Sequence, residues 1–387
     1  MTQAAADGLP GWRSAAMEFT VAKAQLVTEL SLCQGVIEKR TTIPILSNVL
    51  IEASGHKILL TATDLELGIR CSCPAQVERE GAGTVPLRRL LDYVRLLPEV
   101  GVSFRFQENA WVNITCGRSR TRMAGISRES FPELPTMPEA LVEVPVRLLA
   151  LMIGKTVFSI SAEESRFTLN GALLHFKGDS AIMVATDGHR LAYVEVPAPA
   201  TQAPAGHRTL LPKKAMTEIL RLAQEAGGEE LVRFASDENH LFFSIGERLL
   251  ICRRLTGTFP DYERVLPKEY HSQVTLQRKE FQAAVERVAQ FADERSHSVK
   301  VGFAPGEVKV HSSLSDTGES EESLPTAYEG AAVEIGFNAQ YLVDFLRAVS
   351  EDEVTFSFRD AHSAAEVRPN PEGEGGRYRY VVMPMRI

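Results

Sequence analysis

The sequence predicts an α+β fold made of three tandem copies of one module, in which antiparallel sheets carry two helices per copy. One helical pattern occurs three times, with its starts 126 residues apart at Pro86, Pro212 and Asn338. Each copy is amphipathic and is soon followed by a strand pattern. Two similar linkers, residues 131–135 and 259–267, lie 128 residues apart. A period of this length indicates duplication of a whole domain.

Domain boundaries follow from this repeat and from the proline-containing linkers. Residues 1–16 are small and polar, so we expect a disordered N-terminal extension, or a stretch upstream of the true start codon. The linkers then place the three domains at residues 17–138, 139–267 and 268–387.

The first module has a short strand at 19–21 and a helix over 22–38, followed by a basic loop at 39–44. Residues 74–83 contain Pro, Gly and charges and are expected to be a connection. The other expected elements are a helix at 87–96 and strands at 45–52, 57–63, 66–73, 102–107, 111–116 and 120–125.

The second and third modules follow the same order. Residues 313–330, rich in Ser, Glu, Asp and Gly, are expected to be an acidic, mobile hairpin tip. Pro384 stops the last strand, because Pro cannot donate to a ladder. The other expected elements are helices at 146–156, 213–224, 278–292 and 338–347, and strands between 167 and 196 and at 231–235, 240–246, 248–255 and 273–276.

Composition narrows the class of protein. A hydrophobic content of 44% and a charged content of 24% are ordinary for a soluble globular chain. No apolar run reaches the roughly 18 residues that a membrane span needs, and no secretory signal is evident, so we expect a cytoplasmic protein. The five cysteines show neither zinc spacing nor a disulfide framework, so we expect reduced thiols and no metal or cofactor.

The charge is unevenly distributed along the chain. The net charge of −8 by itself argues against nucleic acid as a partner. However, the predicted helical segments are basic in sum, so the rest of the chain is strongly acidic. The helices either share a surface that faces a polyanion, or are solvated faces that balance acidic loops.

The segment 184–196 predicts strand, tight turn, strand, because Asp-Gly is a turn signal. Asp187 and His189 on this turn could serve as a base and its orienting group, which gives a hydrolase hypothesis. No Ser or Cys nucleophile stands in a recognisable context nearby, and no phosphate-binding loop or dinucleotide motif is present. The sequence therefore does not favour an enzyme.

The terminal segment Met383-Pro384-Met385-Arg386 has two interpretations. Exposed Met is an adaptable contact surface, suited to a groove that accepts several ligands. The alternative is a frayed end.

Four stretches together resemble the bacterial DNA polymerase III beta subunits, the sliding clamps. They are residues 186–191, 259–267, 335–338 and 380–386, and the resemblance extends from Met17 to Ile387. It implies a non-catalytic processivity factor: two chains joined head to tail in a closed six-module ring that encircles duplex DNA without sequence specificity. It also implies that the replicative polymerase, the clamp loader, other polymerases and repair proteins bind through short peptides. A duplicated clamp copy that confers antibiotic resistance is an alternative.

The resemblance also implies three sets of site residues. Phosphates attract Lys and Arg without base readout, so basic helix starts and one loop residue would face the DNA. The DNA candidates are Lys23, Arg40, Arg88, Arg89, Lys213, Lys214, Arg278 and Lys279. The peptide pocket, apolar with Arg side chains at its rim, would comprise Leu169, Thr186, Gly188, His189, Arg190, Leu191, Pro260, Arg264, Val265, Val381, Met383, Pro384, Met385 and Arg386. The dimer interface would bring Phe291 of one chain to Thr121 and Met123 of the other.

Overall fold

The predicted threefold repeat is confirmed in a computed structural model, which describes residues 16–38, 41–163, 165–197, 206–314, 318–373 and 376–386. Within these residues each third of the chain has the same order of strand, helix, four strands, helix and three strands. The first third contains β1 (Glu18–Ala22), α1 (Lys23–Val36), β2 (Asn48–Ser54), β3 (Lys57–Thr63), β4 (Leu67–Arg79), β5 (Gly81–Pro86), α2 (Leu87–Arg95), β6 (Gly101–Phe106), β7 (Trp111–Cys116) and β8 (Ser119–Ala124).

The other two thirds repeat this order element by element. The second contains β9 (Val142–Pro145), α3 (Val146–Gly154), β10 (Gly171–Lys177), β11 (Ser180–Thr186), β12 (Arg190–Pro197), β13 (Arg208–Pro212), α4 (Lys213–Glu225), β14 (Leu231–Ser236), β15 (His240–Ile245) and β16 (Arg248–Arg253). The third contains β17 (Ser272–Gln277), α5 (Arg278–Val288), β18 (Ser298–Ala304), β19 (Glu307–Leu314), β20 (Gly318–Pro325), β21 (Val333–Asn338), α6 (Ala339–Ala348), β22 (Glu353–Phe358), β23 (Ala365–Asn370) and β24 (Arg377–Val382).

Each helix begins on the residue that follows a strand, which explains why the predicted helices agree with the structure to within a few residues. Pro86 precedes α2, where its fixed φ is compatible with a helix start. Asn338 caps α6, since its side chain accepts a hydrogen bond from the Tyr341 backbone N–H at 3.3 Å. α5 ends at Val288 and continues as a 3-10 turn to Phe291.

The chain divides into two compact units that do not follow the three modules. Unit 1 comprises Met1–Ala140 and Thr217–Arg253, and unit 2 comprises Leu141–Met216 and Arg254–Ile387. In unit 1 the strands run β8-β7-β6-β1-β4-β16-β15-β14, with β3, β2 and β5 joined through β4. Unit 2 has one sheet in the order β13-β10-β11-β12-β24-β23-β22-β17 and another in the order β20-β19-β18-β21. The domain boundaries given above stay predictions.

One strand pairing occurs twice. In unit 1 the fourth strand of module one, β4, pairs antiparallel with the eighth strand of module two, β16. In unit 2 the fourth strand of module two, β12, pairs in the same way with the eighth strand of module three, β24. The two remaining members of this series, β20 and β8, are edge strands within the described residues. The fourth strand of one module therefore pairs with the eighth strand of the next module twice inside the chain. Within the described residues, β20 and β8 have no such partner.

The expected connection at 74–83 was wrong, because these residues are in strands β4 and β5. The long β4 pairs with β3 up to Pro74 and with β1 from Ala75 onward, so Pro74 stands where the partner changes. A Cβ at Gly83 would lie 2.4 Å from the Phe106 ring, so the glycine permits close packing rather than marking a loop.

Two further expectations need correction. Residues 44–47 form a 3-10 turn, so the strand predicted at 45–52 begins at Asn48. Residues 315–317 of the predicted mobile tip lie outside the described residues, whereas the tip also contains the regular strand β20, which pairs with β19 from Gly318 to Pro325. This edge strand was not predicted because its composition is acidic. Its side chains are largely exposed to solvent.

Several expectations concern the chain as a whole. Residues 1–15 of the predicted extension and Arg40 lie outside the described residues. All five cysteines are buried and free of disulfides. Among the described residues no helix is long and apolar enough to cross a membrane, and no cluster of His, Cys, Asp and Glu could hold a metal ion.

Candidate functional site

The predicted strand–turn–strand at 184–196 is confirmed, and its turn is held by its own side chains. The Asp187 carboxylate accepts the backbone N–H groups of His189 (2.9 Å) and Arg190 (3.0 Å). Thr186 Oγ1 accepts the Gly188 N–H at 3.0 Å. Gly188 has φ = +89°, a left-handed conformation that favours glycine. The turn therefore joins β11 to β12 in one defined conformation.

Arg190 is turned inward, which corrects the expectation that its guanidinium lies at a pocket rim. Its side chain is 9% exposed and bonds Asp187 (3.0 Å), Asp344 (2.6 Å) and the Phe158 carbonyl oxygen (2.6 Å). The guanidinium carbon also lies 4.3 Å from the centre of the Tyr341 ring. A buried cation with this many partners supports the wall of a site, since its charge is already compensated.

The hydrolase hypothesis has no geometric support in this turn. The Asp187 carboxylate is engaged by two backbone N–H groups and by Arg190. Within the part of the chain that the structure describes, no hydrogen bond joins the exposed imidazole of His189 to Asp187. An acid–base pair requires such a contact.

A small apolar cavity of about 120 Å³ opens beside this turn, wholly within unit 2. We call it the pocket. Nine of the predicted pocket residues line it: Leu169, Thr186, Gly188, Arg190, Leu191, Pro260, Val265, Val381 and Met383. The other five, His189, Arg264, Pro384, Met385 and Arg386, do not line it.

Two aromatic residues of the wall were missed in the sequence. Phe259 and Tyr262 line the pocket and are 8% and 4% exposed. Both belong to the linker 259–267. Its similarity to residues 131–135 indicated a domain boundary and did not indicate that it lines a pocket. The Tyr262 ring centre lies 5.8 Å from that of Tyr193 on β12, so the linker is packed onto the sheet. The only available signal was a pair of large aromatic residues in a short linker.

The far end of the linker is held by a buried charge cluster. Glu366 is fully buried and accepts hydrogen bonds from Tyr270, Arg368 and Arg379, the last at 2.5 Å. Arg379 also donates to the Pro267 carbonyl oxygen at 3.0 Å. Burial alone would raise the pKa of Glu366, but these hydrogen bonds hold it below its ordinary value. The linker is thus fixed at both ends.

The C-terminal segment is ordered, so the alternative of a frayed end is wrong. The Met383 N–H donates to the His189 carbonyl oxygen at 2.9 Å, and the Met385 N–H donates to that of Gly336 at 2.8 Å. β24 ends at Val382, as the following Pro384 predicted. Met383 is 38% exposed at the mouth of the pocket, where a ligand could contact its thioether.

The basic residues predicted to face DNA recur in the first turns of the helices. Exposed cations stand at Arg89 in α2, at Lys213 and Lys214 in α4 and at Lys279 in α5. Within the described residues no acidic side chain occupies the first turn of α1, α2, α3, α4 or α6. Cations at helix N-termini oppose the helix dipole, so their recurrence favours an anionic partner. Arg147 in α3 shares this position and was missed.

Two of the DNA candidates are engaged within the protein. Lys23 forms an ion pair with Glu99 at 2.6 Å, and its side chain is 12% exposed. Arg278 donates to the carbonyl oxygens of Glu351 (2.7 Å) and Leu346 (3.2 Å), which lie near the end of α6. Both sets of partners are remote in sequence, and contact of Lys23 and Arg278 with DNA stays a prediction. Arg88 is half-buried and stays a prediction.

The predicted interface residues lie on or beside the two edge strands. Thr121 and Met123 belong to β8, where Thr121 is half-buried and Met123 is 6% exposed. Phe291 is 37% exposed, and a Cβ at Gly318, the first residue of β20, would lie 3.7 Å from its ring. The structure places each residue at an edge, and their meeting across a dimer stays a prediction.

The edge strands carry opposite charge. β8 and the turn before it contain Arg118, Arg120 and Arg122, whereas β20 contains Glu319, Glu321 and Glu322. Glu322 is paired with Arg287, and Glu321 with Lys309 at 3.1 Å. The charges on the two edges are complementary, and their pairing between copies stays a prediction.

Comparisons with known proteins agree on one family. Three family models of the DNA polymerase III beta subunit match this chain. The N-terminal domain matches residues 17–135, the central domain residues 143–261 and the C-terminal domain residues 263–386. The beta sliding clamp of Pseudomonas aeruginosa is 34% identical over 376 residues, and that of Caulobacter vibrioides 36% over 381, covering 96% of this chain and 100% of each relative.

Solved structures give the same result. The DnaN sliding clamp of Pseudomonas aeruginosa, bound to griselimycin, has a TM-score of 0.89 at 32% identity. A Caulobacter crescentus beta sliding clamp has a TM-score of 0.89 at 35% identity. Each comparison covers 96% of this chain and 100% of the other. The chain therefore belongs to the DNA polymerase III beta subunit family, the sliding clamps.

Proposed function

We propose that this protein is a DNA polymerase processivity factor, a sliding clamp without catalytic activity that encircles duplex DNA and tethers polymerases. The observation that carries the proposal is the strand pairing that is satisfied twice within the chain and left open at β20 and β8. Continuing the rule pairs β20 of one copy with β8 of another. Such a head-to-tail contact gives a closed ring if the rotation closes and a filament if it does not. The family favours a closed ring of two chains.

The edge charges permit a direct test of this assembly. A copy with Arg118→Glu and Arg120→Glu, and a copy with Glu319→Arg and Glu321→Arg, should each be monomeric by sedimentation, because like charges would face each other at both contacts. An equimolar mixture should dimerise, since each contact then joins opposite charges. Phe291→Asp alone should weaken the dimer. A mixture that stays monomeric, while the native chain dimerises, would contradict the head-to-tail arrangement.

The pocket supplies the tethering site. An apolar cavity beside an exposed Met suits an apolar side chain of a short peptide, and its small size suits weak, exchangeable binding. We propose that the replicative polymerase, the clamp loader, other polymerases and repair proteins bind here. The ordered C-terminal segment and the two-ended anchoring of the linker support a pocket formed before its ligand arrives.

The pocket can be tested with peptides. Overlapping fluorescent peptides that cover the catalytic subunit of the replicative polymerase from the same organism are screened by anisotropy, and the tightest binder becomes the core peptide. Met383→Ala with Met385→Ala should abolish its binding while thermal unfolding stays unchanged. Met137→Ala, a Met-to-Ala change just after the linker 131–135 of unit 1, should have no effect. Unaltered affinity in the first variant would argue against the pocket.

The basic helix starts supply the DNA surface in this proposal. Neutral replacement of Arg89, Lys213, Lys214 and Lys279 by Gln should weaken binding of duplex DNA equally for all sequences and flatten its salt dependence. Lys57→Gln, on a strand and paired with Glu247 at 3.5 Å, is the matched control. The proposal places the protein in the cytoplasm, with duplex DNA and a second copy of the chain as partners.

A further inference from the structure

A second and larger cavity lies on the other side of the linker, again wholly within unit 2. It has a volume of about 550 Å³, within the usual range of ligand sites. Leu173 of β10 and Leu210 of β13 line it from the sheet, and residues 257–263 line it from the linker. We call it the linker cavity. Phe259, Pro260 and Tyr262 line both this cavity and the pocket, so one short stretch of chain forms a wall of each.

Charged side chains of both signs line the linker cavity. Arg208 and Arg254 line it, and no carboxylate of the described residues lies within ion-pair distance of Arg208. Two acidic residues also line it, Asp261, which is paired with Arg264 at 2.9 Å, and the exposed Glu263. Two guanidinium groups beside an apolar floor favour a ligand that combines carboxylates with apolar surface.

A buried histidine lies next to Arg208 in the sheet. His175 pairs with Arg208 across the ladder and lies on the same face of β10 as Leu173. Its Nδ1 is buried without a hydrogen-bond partner in the described residues, and the side chain is 4% exposed. Burial, together with Arg208 and Lys177, lowers the pKa of His175. Burial is the largest cause of this lowered pKa, and Glu263 acts against it.

We propose that the linker cavity binds an acidic segment of the same partner peptide whose apolar residues occupy the pocket. Carboxylates of that segment would pair with Arg208 and Arg254. The proposal rests on the proposed function of the pocket and extends it. Continuity argues for a peptide, because a chain that leaves the pocket over Pro260 passes directly to the linker cavity. The acidic flank would add specificity and faster association to a weak apolar anchor.

The test uses the core peptide in three forms: unextended, extended by Glu-Glu-Asp, and extended by Gln-Gln-Asn as a neutral match. Each extension is placed at either end. At low salt the acidic extension at one end should tighten binding about fivefold over the neutral one, as expected for partly exposed charged hydrogen bonds. The gain should shrink as salt is added.

Variants assign the gain to the cavity. Arg208→Gln with Arg254→Gln should remove the gain and leave affinity for the unextended peptide unchanged. Arg253→Gln, the exposed neighbour paired with Glu66, should keep it. Because Arg208 is exposed, Arg208→Gln alone should fold normally and remove part of the gain. Equal affinity for acidic and neutral extensions at both ends, or a gain that persists in the double variant, would overturn this inference alone. Binding of the unextended peptide that is unaffected by Met383→Ala with Met385→Ala would overturn the pocket as well.

Discussion

The molecule contains the same junction twice, and in unit 2 an apolar pocket opens beside it. In unit 1 Asp64 accepts the N–H groups of Glu66 (3.0 Å) and Leu67 (2.7 Å), just as Asp187 does for the two residues that follow Gly188 in unit 2. The Arg253 N–H donates to the Glu66 carbonyl oxygen at 2.9 Å, which matches the bond from Met383 to His189 in length and position. The backbone of the two junctions is therefore equivalent.

The side chains of the two junctions differ at several positions that face the site. Glu66 and Arg253 form an exposed pair 3.6 Å apart in unit 1, where unit 2 has His189 and Met383. The linker residue Leu134 packs against Gly68, since a Cβ there would lie 2.9 Å from its methyl groups. The two junctions thus differ in the linker and at the strand ends, whereas the backbone fold is common to both.

The largest difference in energy concerns the residue that begins the second strand of each junction. Unit 1 has Leu67, 2% exposed, where unit 2 has the buried Arg190. We expect Arg190→Leu to lower the free energy of unfolding by about 3–5 kcal/mol, because Asp344 and the Phe158 carbonyl lose their partner. Denaturant unfolding measures this. Arg190→Leu with Asp344→Leu should recover part of the loss, and a single-variant cost within about 1 kcal/mol of zero would show that the network is dispensable.

The next difference, Met383 in unit 2 against Arg253 in unit 1, should affect the affinity for the core peptide. Met383→Arg gives unit 2 the residue that unit 1 has at this position, and it places a charge at the mouth of an apolar cavity. We expect core-peptide affinity to fall about a hundredfold, or roughly 2.7 kcal/mol. The reciprocal change, Arg253→Met, should leave that affinity unchanged. Anisotropy titration distinguishes the two, and comparable affinities in both variants would mean that the strand end does not determine binding.

The repeated helices, linkers and turns were predicted well from the sequence, because the same local patterns recur along the chain. Three helices in one register, two similar linkers and a turn with Asp at a fixed place all follow from local patterns. Prediction failed where an element lacked its usual pattern. β20 has acidic residues on an edge, and β4 contains Pro74 at the point where its ladder partner changes.

The site was predicted only in part, because several of its contacts are remote in sequence. Nine pocket residues were expected, but the inward turn of Arg190 depends on Asp344, 154 residues away. Arg278 likewise bonds a carbonyl 68 residues away, which no local pattern indicates. Phe259 and Tyr262 lay in a stretch already identified as unusual, but nothing in the sequence showed which way their rings point.

A third difference concerns acid stability. Glu366 pairs with Val381 in unit 2 where Phe242 pairs with Ile251 in unit 1, so a buried charge replaces a buried ring. The folded-state pKa of Glu366 is lowered from 4.5, so its stabilisation is present above that pH and is lost as pH falls. We expect Glu366→Gln to cost about 2 kcal/mol at pH 7. The difference from the native chain should narrow below about pH 4.5, and a difference that is independent of pH in denaturant unfolding would contradict the assignment.

The smallest difference lies at the third residue of the turn. Gly188 in unit 2 has φ = +89°, and Leu65 in unit 1 has φ = +78° although leucine rarely adopts this conformation. Leu65 is 52% exposed, so few packing contacts offset the strain. We expect Leu65→Gly to raise the free energy of unfolding by about 1 kcal/mol or less, because relief of strain exceeds the added entropy of the unfolded chain. Gly188→Leu should lower it, since the left-handed strain is then introduced where Arg166 leaves only 3.0 Å to a new Cβ. Effects of equal sign in the two variants would show that the turns are not equivalent.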